Sequence, residues 1–205
     1  MKNVVFFGSS VVDGIGASST AKRFTSIASR TLGWNEINRG RSGSTVTGRD
    51  EEGQIIDEDS GLSRVPEVLE AGPDLVVIAF DADDYRASRE LGEIGSFRQG
   101  TFCSDFDTIL RGLLYSLSAA QITLSTTLRP PGLDTPNKTG LTPLDYDRII
   151  RILADKHDIR MLDPFHEAGL APAEWTAIRG KGPCPNDAGH ECLAAYFIQE
   201  MHDGA

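Results

Sequence analysis

Short apolar runs of strand length alternate along this chain with longer stretches of helical periodicity. Residues 4–7 (VVFF) and 75–80 (LVVIAF) are continuously apolar, which is typical of parallel strands that are buried on both faces of a sheet. These runs predict strands at residues 3–7 and 74–80. Further short strands are predicted at residues 35–38, before a glycine-rich stretch, and at 121–125 and 159–162.

Helices are predicted between these strands from their caps, stops and apolar spacing. A serine cap at Ser18 or Ser19 and a stop at Gly33 bound a helix over residues 18–32. Apolar positions three and four apart indicate a helix over residues 102–119, and Thr142 with Pro143 opens another. Helices are also expected at residues 63–71 and from residue 187 to about 201. This alternation indicates one α/β domain with a mainly parallel sheet, spanning residues 1–205.

Two segments do not fit the alternation. Residues 50–60 (DEEGQIIDEDS) are acidic and have no clear period, so they are predicted to form a solvated surface loop. Residues 81–98 form a long excursion after a central strand. Long ordered loops at strand ends are often functional lids, and a plain surface insertion is the equal alternative here.

Composition and charge narrow the class of protein. The formal net charge of −10 over 205 residues disfavours nucleic acid and anionic membranes as partners. No apolar run approaches the ~20 residues that a membrane span needs, and the first apolar run is too short for a signal peptide. Three scattered cysteines indicate reduced thiols. We therefore expect a cytoplasmic protein with a small-molecule substrate and with no cofactor or metal. A protein partner or a homo-oligomer stays open.

Two glycine- and serine-rich segments follow the first two predicted strands. The first strand ends in Gly8-Ser9-Ser10, and a serine on a sharp turn after a strand has an exposed hydroxyl near backbone N–H groups. The second strand runs into Asn38-Arg39-Gly40-Arg41-Ser42-Gly43. A glycine such as Gly40 lets the main chain approach a ligand, and its N–H can stabilise negative charge.

In order and spacing, these segments resemble the SGNH (GDSL-like) hydrolase superfamily, together with residues 81–84 and 181–190. The resemblance extends from about Asn3 to Met201. It implies a three-layer α/β/α sandwich with a mainly parallel sheet. It also implies that Ser10 stands at the position of the nucleophile, and that Gly40 offers its N–H to an oxyanion. Ser9 replaces the family's aspartate beside that serine.

The sequence departs from the family at the remaining catalytic positions. Asp83 stands where an asparagine donates to the oxyanion, and a carboxylate accepts instead of donating. Asp81 replaces a glycine. By the same frame, Lys181 and Cys184 occupy the positions of the catalytic Asp and His. The resemblance therefore implies a degenerate catalytic dyad.

The predicted site still contains hydroxyls and carboxylates that could perform other chemistry. Three hypotheses remain: an enzyme that uses an Asp base for intramolecular substitution, elimination or cyclisation; a non-catalytic subunit or binding protein; and an esterase that recruits His166 or His190. The roles of those two histidines stay open, although His190 is predicted to be structural in the closing helix. Ser10, Asp13, Asp83 and Asp84 are the catalytic candidates, with Asp13 as general base. Ser9, Gly40, Ser42, Asp81, Lys181 and Cys184 are predicted to bind substrate or an anion.

Overall fold

The fold is built on a five-stranded sheet. The computed structural model describes residues 1–96, 98–127, 135–168, 175–179 and 184–203. The strand order is β2-β1-β3-β4-β5, and all four neighbouring pairs are parallel. The prediction of an α/β fold with a parallel sheet is therefore confirmed. The strands are β1 (Asn3–Gly8), β2 (Asn35–Gly40), β3 (Leu75–Ala79), β4 (Ile122–Ser125) and β5 (Arg160–Leu162).

Helices of very different length connect the strands. None of the helices in the described part of the chain is long and apolar enough to cross a membrane. The long helices are α2 (Phe24–Leu32), α5 (Phe102–Leu114), α6 (Pro143–Lys156) and α9 (Asp187–Asp203). The short ones are α1 (Ser10–Asp13), α3 (Val65–Glu70), α4 (Asp83–Arg86), α7 (Pro164–Glu167) and α8 (Trp175–Ile178).

Alternate side chains of the central strands enter two separate cores, one on each face of the sheet. Val5 and Phe7 of β1 pack on one face with side chains of α5 and α6, such as Phe106 and Ile150. Val4 and Phe6 pack on the opposite face with residues of α1, α2 and α9. Because both faces are covered, the central strands read as continuous apolar runs in the sequence. The molecule is a three-layer sandwich.

Several predicted boundaries are wrong for local reasons. The helix predicted from Ser18 begins at Phe24, because Thr20–Lys22 form a separate 3₁₀ turn and Arg23 is extended. The helix predicted to reach residue 119 ends at Leu114. Beyond Leu114, Ser118 and Gln121 form a capping box that starts a second 3₁₀ turn, over Ala119–Gln121. His166, predicted in a loop, lies in the short helix α7.

The two segments that broke the alternation pack against each other. The loop over residues 50–60 is largely exposed, as predicted, and an antiparallel bridge joins its base between Arg49 and Ile55. Arg98, at the end of the second segment, forms an ion pair with Glu51 of the loop at 3.0 Å. The second segment begins with helix α4. These contacts tie the end of the second segment to the acidic loop.

Candidate functional site

The turn after β1 places Ser10 at the carboxyl edge of the sheet. Ser10 is the first residue of α1 and is 9% exposed. Its Oγ accepts a hydrogen bond from the Gly43 N–H at 3.2 Å and lies 3.3 Å from the Ser42 Oγ. The two glycine- and serine-rich segments therefore meet at this hydroxyl, which brings the predicted residues Ser10 and Ser42 together.

Close backbone contacts explain why the site is built on glycines. A Cβ at Gly8 would lie 1.9 Å from the Ala79 carbonyl oxygen, and a Cβ at Gly40 would lie 2.1 Å from the Asp13 nitrogen. The Gly40 N–H donates to the Asn38 Oδ1 at 2.8 Å. Asn38 also donates from its Nδ2 to the Val12 carbonyl at 2.7 Å. Asn38 thus holds the end of β2 against α1.

Asp81 lies directly beside the Ser9–Ser10 turn. Its N–H donates to the Ser9 Oγ at 2.8 Å, and its Oδ2 accepts from the Val11 N–H at 3.0 Å. The other carboxyl oxygen, Oδ1, is buried and has no hydrogen-bond partner among the described residues. Burial, followed by the negative charge of Asp83, raises the pKa of Asp81 to about 7. A carboxyl group with this pKa can accept or donate a proton near neutral pH.

Asp83 is paired with a cation that was not predicted from the sequence. Arg86 donates to the Asp83 Oδ1 at 3.0 Å across one turn of α4. The Asp83 Oδ2 is buried and finds no hydrogen bond within the described ranges. Three-residue spacing between an acid and a base in the sequence is the signal that could have identified the pair.

Cys184 is a buried thiol in an acidic environment. Burial, with the negative charges of Asp81 and Asp83, raises the pKa of the Cys184 thiol to about 11. The thiol is therefore protonated at neutral pH and is a poor nucleophile. Lys181, which was predicted to bind substrate beside it, lies outside the described residues.

Asp84 and Asp13 occupy different surroundings from Asp81. Asp84 is buried and accepts from the Val46 N–H, the Thr47 N–H and the Thr47 hydroxyl at 2.7–3.1 Å. Burial raises the pKa of Asp84 to about 6. These bonds anchor the segment that follows Ser44. Asp13 is half-buried, and its carboxylate makes no hydrogen bond or ion pair to any described residue.

A buried arginine, Arg64, holds the turn after β1 in place through hydrogen bonds. Arg64 is 3% exposed and donates to the carbonyl of Gly8 at 3.1 Å and to the Ser44 Oγ at 2.9 Å. It also donates to the carbonyls of Arg39 and Asp59, at 2.7 and 2.9 Å. The guanidinium therefore joins the ends of β1 and β2 to the loop beyond them. Nothing in the sequence distinguishes Arg64 from a surface arginine near a helix start.

His190 and His166 are both bonded to groups other than Ser10. The His190 Nδ1 accepts from the Phe24 N–H and its Nε2 faces the Ile15 carbonyl, both at 3.3 Å. The ring is buried and stacked on Phe24, as expected for a structural residue of α9. The exposed His166 bonds through Nδ1 to the Asp163 Oδ2 at 2.8 Å. The His166–Asp163 pair follows β5. Three strand spacings separate β5 from β1, which is roughly 14 Å across the sheet.

In the parts of the chain that the structure describes, no group of three His, Cys, Asp or Glu side chains could hold a metal ion.

Comparison with known proteins identifies the family. None of the curated proteins matches the sequence. Similar solved structures include a protein from Lactobacillus plantarum, with a TM-score of 0.81, 20% identity and coverage of 98% of this chain and 97% of that one. A lipase/acylhydrolase from Enterococcus faecalis has a TM-score of 0.71 and 21% identity, with coverage of 98% of this chain and 95% of that one. A member of the lipolytic protein G-D-S-L family from Veillonella parvula has a TM-score of 0.68 and 13% identity, with coverage of 96% of each chain.

These structures share the fold at low identity, and the sequence itself carries the family assignment. The model of the GDSL-like lipase/acylhydrolase family matches residues 6–192, which is most of the chain. The matched range includes Ser10, Gly40, Asp81 and Cys184. The chain belongs to the GDSL-like lipase/acylhydrolase family.

Proposed function

We propose that this protein is an enzyme of the GDSL-like family that acts on a small molecule with Asp81, rather than a histidine, as its proton-transfer group. The environment of Asp81 carries the proposal. Its carboxyl is buried against the turn that carries Ser10, where it accepts from the Val11 N–H. One of its oxygens has no hydrogen-bond partner among the described residues, and its pKa is raised to about 7. A strongly perturbed acid at a strand end is typical of a functional site.

An ordinary serine esterase would need a base for the Ser10 hydroxyl. The neighbours of Ser10 Oγ are the Gly43 N–H and the Ser42 hydroxyl. The raised pKa of the Cys184 thiol keeps it protonated, and His190 uses both ring nitrogens within the core. His166 lies too far across the sheet. The degenerate dyad, with Lys181 and Cys184 at its two positions, is part of this proposal.

The chemistry follows from what the turn can still do. In the proposal, Asp81 removes a proton from bound substrate, while Ser10, Ser42 and backbone N–H groups receive a leaving group that becomes anionic. Arg86, paired with Asp83, supplies positive charge nearby. Intramolecular substitution, elimination or cyclisation with loss of an anion suits such a site. None of these reactions requires an acyl-enzyme.

Asp81 and Asp13 can be separated by matched variants. We expect Asp81→Asn to lower the native activity by ~10² or more, the usual effect of removing a general base, and Asp13→Asn to retain it. Each purified protein is incubated with a metabolite extract, and substrate loss is followed by mass spectrometry. Wild-type activity should rise with pH through about 7, where Asp81 ionises. Loss in Asp13→Asn alone would move the role of base to Asp13.

A serine-directed probe tests the absence of an esterase without knowledge of the substrate. We expect weak or no labelling of Ser10 by a fluorophosphonate, and weak or no hydrolysis of p-nitrophenyl acetate, because no described base activates the hydroxyl. Peptide mass spectrometry locates any label, with Ser10→Ala as the control. Rapid labelling of Ser10 that is lost in His166→Ala would contradict the proposal and restore the esterase.

A binding protein is the second candidate, and one observation favours it. The Gly40 N–H, which the family resemblance assigns to an oxyanion, already donates to Asn38 within the chain. If wild type consumes no metabolite and the probe labels nothing, the non-catalytic hypothesis replaces the enzyme.

A further inference from the structure

A cavity lies away from Ser10, between α5 and the end of α6. Its volume is about 360 Å³, and its lining includes Arg49, Ser104, Asp107, Arg111, Lys156 and His157. A volume of a few hundred Å³ is in the range of small-molecule sites. No residue that the family resemblance singles out contributes to this wall.

The lining concentrates basic side chains around one carboxylate. The Asp107 Oδ1 lies 2.9 Å from the Lys156 Nζ and 2.7 Å from the His157 Nε2. The Asp107 Oδ2 lies 3.3 Å from the Arg111 Nε. Arg49, at the same wall, is paired with the buried Asp105 at 2.7 Å. A single carboxylate thus faces two permanent cations and an imidazole.

Hydrogen-bond donors remain after this pairing. Arg111 forms an ion pair with Asp107, and within the described ranges its guanidinium donates no hydrogen bond. Lys156 has further ammonium protons beyond the one that Asp107 accepts. Both side chains are about half exposed, at 56% and 40%, so an incoming ion can reach them. This surplus of positive charge stands out in a chain whose net charge is −10.

We propose that this cavity binds a phosphate or phosphomonoester group between Arg111 and Lys156. A guanidinium presents paired donors that match phosphate oxygens, and an ammonium adds a point charge. The cavity has room for more than the ion alone, and the Ser104 hydroxyl in its wall is a polar contact for the rest of such a ligand. The site is independent of the chemistry proposed at Ser10.

Titration with inorganic phosphate, followed by ¹H–¹⁵N NMR at constant ionic strength, tests the site. We expect saturable shifts of amides in α5 and at the end of α6, and no such shifts with chloride. The Arg111→Gln/Lys156→Gln double variant should bind at least ~10-fold more weakly. Arg30→Gln and Lys2→Gln, combined, remove the same charge at exposed positions elsewhere and should bind as wild type does.

The control variant distinguishes a specific phosphate site from general charge screening. Shifts that do not saturate, or equal weakening in the control double variant, would mean charge screening alone and would overturn the proposal. Glycerol 3-phosphate distinguishes the two ligand sources: tighter binding than phosphate supports a phosphomonoester, and equal binding supports the free ion. Asp81→Asn should bind phosphate normally, so failure here and failure of the proposed enzyme are distinguishable.

Discussion

Burial of the Asp81 carboxyl costs the folded state free energy whenever that group is ionised. Its pKa is raised from 3.8 to about 7 in the folded protein. Between these two values the folded state holds a proton that the unfolded state has lost. Stability from this group is therefore fully present below about pH 4 and is lost as the pH rises through about 7.

Asp81→Asn should remove this penalty. At pH 8 we expect the variant to be more stable than wild type by roughly 1–4 kcal/mol, with the difference shrinking as the pH falls to 5. An amide oxygen can still accept from the Val11 N–H, so the local structure is retained. Urea unfolding at several pH values measures the effect. A difference that does not change with pH would contradict the buried, ionisable Asp81.

Other residues at the site act through geometry rather than ionisation. Arg64 places its donors on four acceptors at the ends of β1, β2 and the following loops. Replacing Arg64 would leave those buried acceptors without a hydrogen bond, which lowers the stability of the folded protein. The position of Ser10 therefore depends on a side chain that lies 54 residues further along the chain.

At the scale of elements, β2 and α1 approach so closely that Gly40 has no room for a side chain. Gly40→Ala should destabilise the protein by about 3 kcal/mol or more, because its Cβ would lie 2.1 Å from the Asp13 nitrogen. Gly33→Ala is the matched control. Gly33 has a positive φ of 68°, but a Cβ there would meet no atom within 4 Å, so this substitution should cost only about 1 kcal/mol. Thermal unfolding compares the two, and equal losses would refute the steric argument.

Elements and their order were predictable from the sequence, whereas side-chain directions were not. The apolar runs of β1 and β3 identify buried parallel strands, so Ser10, Gly40 and Asp81 were expected at one edge. Asp84 points towards residues 46 and 47 because the turn after Asp81 becomes helix α4. The start of α2 was also missed, because the 3₁₀ turn at Thr20–Lys22 carries the same polar residues as a helix cap.

At the scale of the whole molecule, the strand order determines where a ligand can bind. The chain passes from β1 to β2 on one side and then to β3 on the other. The connections therefore leave the sheet in opposite directions between β1 and β3, where open α/β sheets bind their ligands. Ser10 follows β1 and Asp81 follows β3, so the two candidate groups stand on either side of that crevice.

The charge of the molecule is also unevenly distributed. The net charge is −10, yet the cavity beside α5 and α6 gathers Arg111, Lys156 and His157 around Asp107. Near the Ser10 turn, Asp81 instead lies close to Asp83, which is paired with Arg86. The overall acidic composition therefore predicts the local charge of neither region.

The glycine contacts at the sheet edge have an evolutionary consequence. Gly8 and Gly40 are required by main-chain atoms of Ala79 and Asp13, so folding alone disfavours a side chain at either position, whatever reaction the site performs. The side chains of Asp81 and Cys184, which are buried near the same edge, are under no such main-chain constraint and can diverge. The presence of these glycines therefore reflects the architecture of the sheet edge and does not by itself specify a reaction.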